Sequence, residues 1–310
     1  MMRKPCEITR LMQRGFRMDG GILQQAKGKH AGWVRTAVAL LVAFSILTPG
    51  PASAADLQPK TVAAFDRYAQ LTEAAFDSQI ARREPFLWYE GLPKERRQSI
   101  EAQLRAGQVV IERLETLDRG NHIPVPGGLI HHWIGTVFIP GATLAETLAF
   151  ERDYDDQQEY FQPNVKRSKI HRHEGDDFLI ELVFYKKEVI TSVLDTDHEV
   201  HYGSVDSTHA WSRSHTTRIQ ELENFGEAGE RMLPAGHDRG FLWRMNTYWR
   251  FEEKDGGTYV ESQSISLTRN IPTGLGWLAE PFVTKVPRES LTFTLAATRR
   301  AILQSITKQK

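Results

Sequence analysis

Between residues 165 and 268 the sequence runs through strand-forming segments that are separated by short turns. These segments cover residues 165–172, 178–186, 189–202, 208–223, 241–253 and 259–268. The turn sequences Glu-Gly-Asp-Asp at 174–177 and Lys-Asp-Gly-Gly at 254–257 are hairpin signals, because Gly and Asp tolerate the backbone conformations that tight turns need. Strands joined by hairpins are antiparallel neighbours, so the sequence predicts a large antiparallel sheet.

Helical patterns stand before and after this series. A first strand at 130–139 ends at Pro140, and Thr143 is a suitable N-cap for a helix with apolar residues at Leu144, Leu148 and Phe150. From residue 277 to 303 apolar residues return at helical spacing, with Pro281 and Pro287 expected to interrupt or kink the beginning of that helix. The predicted class is therefore α+β.

Three short motifs carry a resemblance to a known family. They are VFIPGA at 137–142, LAFERDY at 148–154 and YFQPNVKRS at 160–168. In this order they resemble the START/polyketide-cyclase-like (SRPBCC) superfamily, and the chain looks most like uncharacterised secreted bacterial members. The resemblance covers residues 128–310. It implies the helix-grip fold, in which a curved antiparallel sheet wraps a long C-terminal helix and leaves a cavity between them.

Residues 1–54 have the composition of an export signal. Basic residues precede a short apolar run at 36–47, and Pro49, Gly50 and Pro51 lead to Ala-Ser-Ala at 52–54. This order predicts a secretory signal peptide cleaved after Ala54, and the apolar run is short for a membrane span of roughly 20 residues. The alternative is an uncleaved anchor, and the start is either Met1 or Met18.

Cleavage would remove the lone cysteine, Cys6, so the mature chain would have neither disulfides nor a thiolate nucleophile. We therefore expect a periplasmic or secreted protein with no integral membrane segment after cleavage.

Residues 55–127 fall outside the family resemblance. An amphipathic helix is predicted at 61–81, a second helix between Pro93 and Arg105, and a short strand near residue 110. The turn-rich connector at 121–128 separates these elements from the main domain. We interpret 55–127 as an N-terminal helical appendage that packs on a domain spanning 128–310.

Composition and motifs exclude several classes of function. Lys plus Arg equals Asp plus Glu at 39 each, so no net field favours nucleic acid as a partner. The sequence contains no nucleophile elbow, phosphate loop, dinucleotide fingerprint or His-Glu-x-x-His helix, and no cofactor is predicted. Nothing in the sequence indicates an oligomeric state.

The histidine pairs do not predict a metal site. His131 and His132 are adjacent on a strand, so they point to opposite faces. His171 and His173 should share one face, but they precede an exposed turn, and a solvated edge explains them better than zinc does. The acidic run at 195–199 also lacks ligand spacing.

The last two strands each have a polar face, and these faces supply the candidate site residues. Arg244, Tyr248 and Glu261 would bind a ligand's carboxylate or hydroxyl if this face lines the cavity. The alternative is a solvated face with cross-strand ion pairs. On the preceding strand, His215 stands among hydroxyl residues and is the candidate acid or base if chemistry occurs.

Aromatic residues are frequent in the elements that would enclose the cavity, although the same residues would also fill an ordinary core. Of these, Trp243, Trp277 and Phe282 are predicted to contact the ligand. The leading hypothesis is a binding or carrier protein for a hydrophobic small molecule, such as a lipid or a polycyclic compound. Alternatives are a cyclase, dehydratase or hydrolase that uses the same cavity, and a structural envelope protein whose cavity is closed.

Overall fold

The computed structural model describes residues 57–187, 191–234, 238–239, 242–270 and 276–309, without the side chains of 276–284 and 309. The expected signal peptide at 1–54 lies outside the described residues. Residues from Ala54 onward form one compact unit.

The helices and strands predicted from the sequence are present in the predicted order, and the structure adds a one-turn helix at Gln157–Tyr160 and a two-residue strand at Arg231–Met232. The helices are α1 (Pro59–Arg82), α2 (Lys94–Arg105), α3 (Leu144–Glu151), α4 (Gln157–Tyr160) and α5 (Gly276–Gln309), with short 3₁₀ turns at Trp88–Gly91 and Tyr154–Asp156. The strands are β1 (Val110–Arg113), β2 (Gly128–Pro140), β3 (Val165–Glu174), β4 (Asp177–Lys187), β5 (Thr191–Ser204), β6 (His209–Glu223), β7 (Arg231–Met232), β8 (Arg244–Lys254) and β9 (Gly257–Arg269).

All pairings in the sheet are antiparallel. The strand order is β1-β2-β9-β8-β6-β5-β4-β3, with β7 paired to β6. Both predicted hairpins are present, and Gly175 (φ 62°) and Gly256 (φ 75°) supply the left-handed backbone at their turns. Because β2 and β3 lie far apart in the sheet, the chain crosses between them through α3 and α4.

The expected helix-grip fold is confirmed, since the C-terminal helix α5 packs against one face of the antiparallel sheet. Leu291, Leu295 and Ile302 of α5 share a buried cluster with Val137 and Val260 of the sheet. We call this the inner face and the opposite one the outer face. The helix is continuous through both prolines, so the expected interruption at Pro281 or Pro287 is not present.

At Gly135 in β2, α5 packs directly on the strand backbone. A Cβ atom at this position would lie 2.7 Å from Leu295 Cδ1 on α5 and 2.3 Å from Ile111 Cδ1 on β1. Any side chain larger than hydrogen would push these neighbours apart. The absence of a Cβ at Gly135 thus lets these two side chains from α5 and β1 pack directly on the strand backbone.

The elements before residue 128 cover the outer face and extend the sheet. Phe65 and Phe76 of α1 pack against Tyr248 and Ile265, and a second cluster joins the 3₁₀ turn and α2 to the sheet residues Phe138 and Tyr259. Strand β1 pairs directly with β2. The appendage thus packs on the sheet, and its division from the domain at residue 128 stays a prediction.

The far edge of the sheet, β3, is partly capped by the crossover segment. The backbone N–H of Ile170 donates to Asp155 Oδ1 at 2.8 Å, and the N–H of Ser168 donates to Gln158 Oε1 at 3.4 Å. An unpaired edge strand invites association with other strands, and these side chains occupy two of its donors.

Candidate ligand-binding surface

Strand register assigns every sheet residue to the inner or the outer face. Side chains alternate along a strand, and directly paired residues share a face. Val137 of β2 faces α5 and pairs with Val260 of β9, which pairs in turn with Phe251 of β8. Odd-numbered residues of β2 and β8 and even-numbered residues of β9 therefore point inward.

Part of the inner face is a closed apolar core. The residues that fill it are Val137, Ile139, Phe178, Ile180, Val200, Tyr202, Phe251 and Val260, all buried. They meet the described half of α5, from Leu291 to Ile302. This region has the composition expected of an ordinary interior.

The neighbouring part of the inner face carries hydroxyl groups instead. Its hydroxyl residues, which we call the hydroxyl patch, are Ser212, Ser214 and Thr216 of β6, Thr247 of β8, and Ser262, Ser264 and Ser266 of β9. Register places them side by side, with Ser264 opposite Thr247 and Thr247 opposite Ser214. Trp133, Met245 and Trp249 complete the surface with apolar contacts.

Most hydroxyls of the patch have no protein partner. Among the described residues, Ser212, Thr247, Ser262, Ser264 and Ser266 form no side-chain hydrogen bond, yet none of their oxygens is among the fully enclosed unpaired atoms. Leaving a hydroxyl unpaired in a dry interior costs about 1–3 kcal/mol. Thr247 and Ser264 are half-buried, so their hydroxyls stay open to water or a ligand, whereas Ser212, Ser262 and Ser266 are only 3%, 1% and 8% exposed.

Two buried histidines stand at the two sides of the patch. His131 of β2 pairs with Ser266 and its ring lies 2.9 Å from Thr268 Oγ1, whereas His198 of β5 pairs with Thr216. Burial lowers the pKa of each to about 4, with the charge of Arg113 adding to the effect at His131. Both rings are therefore uncharged at neutral pH.

His198 is held by hydroxyl groups on both ring nitrogens. Nε2 lies 2.8 Å from Thr196 Oγ1, and Nδ1 lies 3.4 Å from Ser214 Oγ. The longer contact reaches into the hydroxyl patch. A substitution at Ser214 would therefore remove a hydrogen-bond partner of the neutral His198 ring.

The site residues predicted from the sequence lie on the opposite face. Arg244, Tyr248 and Glu261 point outward, and α1 covers much of that face. These residues were ligand candidates only if their polar face lined the cavity. The structure places that face on the opposite side of the sheet from α5. The alternative of a solvated face is also inaccurate, because Tyr248 and Glu261 are fully buried under the N-terminal segment.

His215, the candidate acid or base, belongs to a polar network beneath α1. Its Nε2 lies 2.8 Å from Glu73 Oε1, which also accepts from the Tyr248 hydroxyl at 2.9 Å. The hydrogen bond from His215 lowers the pKa of Glu73 below its ordinary value, against the effect of burial. This network attaches α1 to the sheet and has no contact with the hydroxyl patch.

Glu261 forms an ion pair with Arg250 of the protein itself and not with a ligand. Its Oε1 accepts from Arg250 Nη1 at 2.6 Å, with both side chains essentially inaccessible to solvent at 0% and 1%. Its Oε2 accepts from the backbone N–H of Trp88 at 2.9 Å, and Arg250 Nη2 donates to Gln79 Oε1 at 2.5 Å. The pair connects the sheet to the N-terminal segment.

Of the three aromatic residues predicted to contact the ligand, only Trp243 has a described side chain, and it lies on the outer face. Trp243 packs with Phe65 and Tyr68 on the outer side and its indole N–H donates to Asp238 Oδ1 at 3.3 Å. The side chains of Trp277 and Phe282 lie outside the described residues, so their predicted ligand contacts stay predictions.

The histidines of β3 do not share a face as the sequence led us to expect. A β-bulge between Ile170 and Arg172 shifts the register, so His171 reaches Glu181 at 3.0 Å while His173 stacks on Phe178. Ligand atoms of His171, Glu181 and Asp197 lie within 4.8 Å of one another. Since Arg218 already binds both oxygens of Asp197, we interpret this row as a network of ion pairs.

The hydroxyl patch was not recognised from the sequence, although a signal for it existed. A Ser or Thr stands at every second position in 212–216, and a Ser stands at every second position in 262–266. Such alternation places hydroxyls on one face of two strands. What the sequence lacked was the identity of the face that α5 covers.

Comparison with known proteins finds structural likeness only. No family model matches the chain, and no curated relative matches it. A STAR-related lipid transfer protein from Xanthomonas axonopodis is 16% identical, with 62% of this chain and 98% of that chain covered and a TM-score of 0.41.

Two further solved structures give similar values. An aromatase/cyclase from a Streptomyces species is 11% identical over 57% of this chain and 96% of its own, with a TM-score of 0.38. A human lipid transfer and protein localization domain is 7% identical over 68% and 98%, with a TM-score of 0.39. All three likenesses lie below 25% identity and below a TM-score of 0.5.

Within the described part of the chain, no helix combines the length and the apolar content that crossing a membrane would require.

Proposed function

We propose that this protein binds a small, largely apolar molecule between the inner face of the sheet and α5, and that it does so as an exported binding or carrier protein. The observation that carries the proposal is the hydroxyl patch with its aromatic border. The unpaired, half-buried hydroxyls of Ser264 and Thr247 beside Trp133 suit a binding surface, because apolar side chains supply affinity and a few polar groups set orientation.

The export part of the proposal rests on the sequence alone. The basic segment, apolar run and Ala-Ser-Ala site at 1–54 support a periplasmic or secreted location. N-terminal sequencing of the chain recovered from a bacterial periplasm should begin at Ala55. Recovery of the intact chain in the membrane fraction would contradict export with cleavage.

Native mass spectrometry of the periplasmic protein tests the binding proposal. We expect a small apolar molecule to co-purify at a stoichiometry near one per chain. Ser264→Trp should abolish its retention, because an indole would fill the space in front of the patch. Ser207→Trp, in an exposed turn after β5, is the matched control and should leave retention unchanged.

An empty protein that also fails to take up lipids or polycyclic probes would contradict the proposal and favour a closed structural domain. Chemical conversion of the bound molecule during incubation would instead favour the enzyme alternative named from the sequence.

A further inference from the structure

The charges around the hydroxyl patch restrict what can bind there. On β2, β9, β8, β6 and β5, the ionisable side chains within the rows of the patch are His131, His198 and Tyr202, and all three are uncharged at neutral pH. Arg113 of β1 stands at the end of one of these rows. The patch therefore offers hydroxyls, two neutral imidazoles and apolar surface, but no formal charge. A buried ligand charge without a counter-charge is strongly unfavourable.

Charged residues do occur on the inner face, but away from the patch and mostly engaged. Glu221 pairs with Arg239 at 2.9 Å, Lys186 lies 3.8 Å from Glu289 on α5, and Glu253 accepts from the N–H of Leu144. Such partners leave these groups little capacity to neutralise a ligand.

Among the described strands, Arg113 of β1 is the charged side chain that stands at the end of a row of the patch. It pairs with Trp133 at the rim of the sheet and is exposed to solvent. Water already stabilises a charge in that position, and the Arg113 charge disfavours protonation of His131. An anionic ligand would have to leave its charged group at this rim, outside the patch.

The spacing of the hydroxyls indicates how many polar groups a ligand should present. Neighbouring strands lie about 4.8 Å apart, so Ser264, Thr247 and Ser214 form a row of hydroxyls at roughly 5 Å intervals. A hydroxyl both donates and accepts, so it matches carbonyl and hydroxyl oxygens equally well. A plain hydrocarbon would displace water from these hydroxyls without replacing its hydrogen bonds.

We infer that the ligand is an uncharged molecule with an apolar body and at least two oxygen atoms about 5 Å apart. This inference rests on the proposed function, because it names the class of molecule that the same surface binds. Trp133, Met245 and Trp249 contact the apolar body, and the hydroxyl row binds the oxygens.

A set of three probes with one tricyclic skeleton tests the inference. Anthracene has no oxygen, 9,10-anthraquinone has two neutral carbonyl oxygens across its middle ring, and anthraquinone-2-sulfonate adds a charge. Binding to the mature protein is followed by quenching of tryptophan fluorescence. We expect the quinone to bind at least about tenfold more tightly than anthracene, because its oxygens satisfy two hydroxyls. It should exceed the sulfonate by a similar factor, because the patch has no counter-charge for the sulfonate group.

Variants of the patch identify the cause of the preference. In the double variant Ser264→Ala, Thr247→Val, the preference for the quinone over anthracene should fall to about twofold, while anthracene binds no more weakly than before. Ser207→Ala on the exposed turn should retain the full preference. Loss of binding of both probes in the double variant would contradict the assignment of specificity to the hydroxyls.

The outcomes separate this inference from the proposed function. Equal or tighter binding of anthracene overturns the inference and leaves the proposed apolar binding intact. Tighter binding of the sulfonate, with loss of that binding in Arg113→Ala, also overturns it and assigns an anionic ligand to the rim. If none of the probes binds and the purified protein is empty, both are overturned.

Discussion

Individual ionisable residues inside this protein are kept neutral unless a partner is provided. His131, His132 and His198 are buried, and burial lowers the pKa of each to about 4 or below. Arg250 and Glu261 are also buried, but they face one another at 2.6 Å. Desolvation penalises a lone charge, so a buried ionisable group here is either neutral or paired with an opposite charge.

Glu151 at the end of α3 is the clearest example among the acids. It is buried between the sheet and α5, where burial raises its pKa to about 8 against the effect of the Thr298 hydroxyl. Its Oε1 has no hydrogen-bond partner among the described residues. The carboxyl group therefore holds a proton at neutral pH.

We predict that Glu151→Gln changes how stability depends on pH. The native chain keeps the Glu151 proton up to about pH 8, whereas the unfolded chain releases it near pH 4.5. The free energy of unfolding of the wild type should therefore fall between these values, by up to about 1.4 kcal/mol per pH unit, and Glu151→Gln should lack this fall.

Urea unfolding at pH 5, 6.5 and 8 measures the difference. The exposed Glu159→Gln on α4 is the control and should follow the wild type. Parallel pH profiles for Glu151→Gln and the wild type would show that Glu151 is ionised in the native state.

At the scale of helices and strands, local chemistry in the sequence predicted most elements. Thr143 caps α3 as expected, with its hydroxyl accepting from the N–H of Glu146 at 3.2 Å and the Glu146 side chain accepting from the N–H of Thr143 at 2.8 Å. The hairpins at Gly175 and Gly256 are also present. Capping and turn chemistry involve neighbouring residues, so one segment of sequence contains the whole signal.

Features that depend on distant segments were not predicted. Alternation along β8 and β9 defined a polar face, but only the packing of α1 shows that this face is outside. The apolar side of α1 was recognised, and its partner strands were not. The bulge at His171 arises from pairing with β4, which one strand's sequence does not contain.

Helix α1 therefore provides a test of the two-sided organisation of the sheet. Phe76 is buried at 1% exposure, with its ring 5.5 Å from that of Tyr248 and 4.5 Å from the Arg250 guanidinium. We predict that Phe76→Ala lowers the free energy of unfolding by about 3–5 kcal/mol while the folded variant keeps its ligand affinity.

Chemical denaturation measures the free energy of unfolding, and quenching of tryptophan fluorescence by the tightest-binding probe measures the ligand affinity. Asp66→Ala, at an exposed position of the same helix, should change neither by much. A loss of affinity in Phe76→Ala at temperatures where it is folded would show that the outer face contributes to binding.

For the whole molecule, the buried pair Arg250–Glu261 joins parts of the chain that are distant in sequence. Glu261 accepts from Trp88 and Arg250 donates to Gln79, so the sheet, α1 and the following turn meet at one ion pair. Removing one partner would leave the other charged and buried. The N-terminal segment and the sheet should therefore unfold together.

We predict that Arg250→Met lowers the free energy of unfolding by about 3–5 kcal/mol. Wild type and variant should each show coincident transitions by far-ultraviolet circular dichroism and by tryptophan fluorescence. Arg244→Met, on the same strand with a single hydrogen bond to the Trp243 carbonyl, should be much less damaging. A separate early transition in the wild type would show that the N-terminal segment folds on its own.

The close contact at Gly135 has a mechanical consequence for this molecule. Leu291 and Leu295 of α5 rest on the bare backbone of that residue, and α5 extends from there toward Gly276 at one end and Gln309 at the other. Because this contact lies near the middle of the helix, α5 could tilt about it as a rigid rod. A tilt of α5 about Gly135 would move the two ends of the helix further than its middle, so the distance between helix and sheet would change most at those ends.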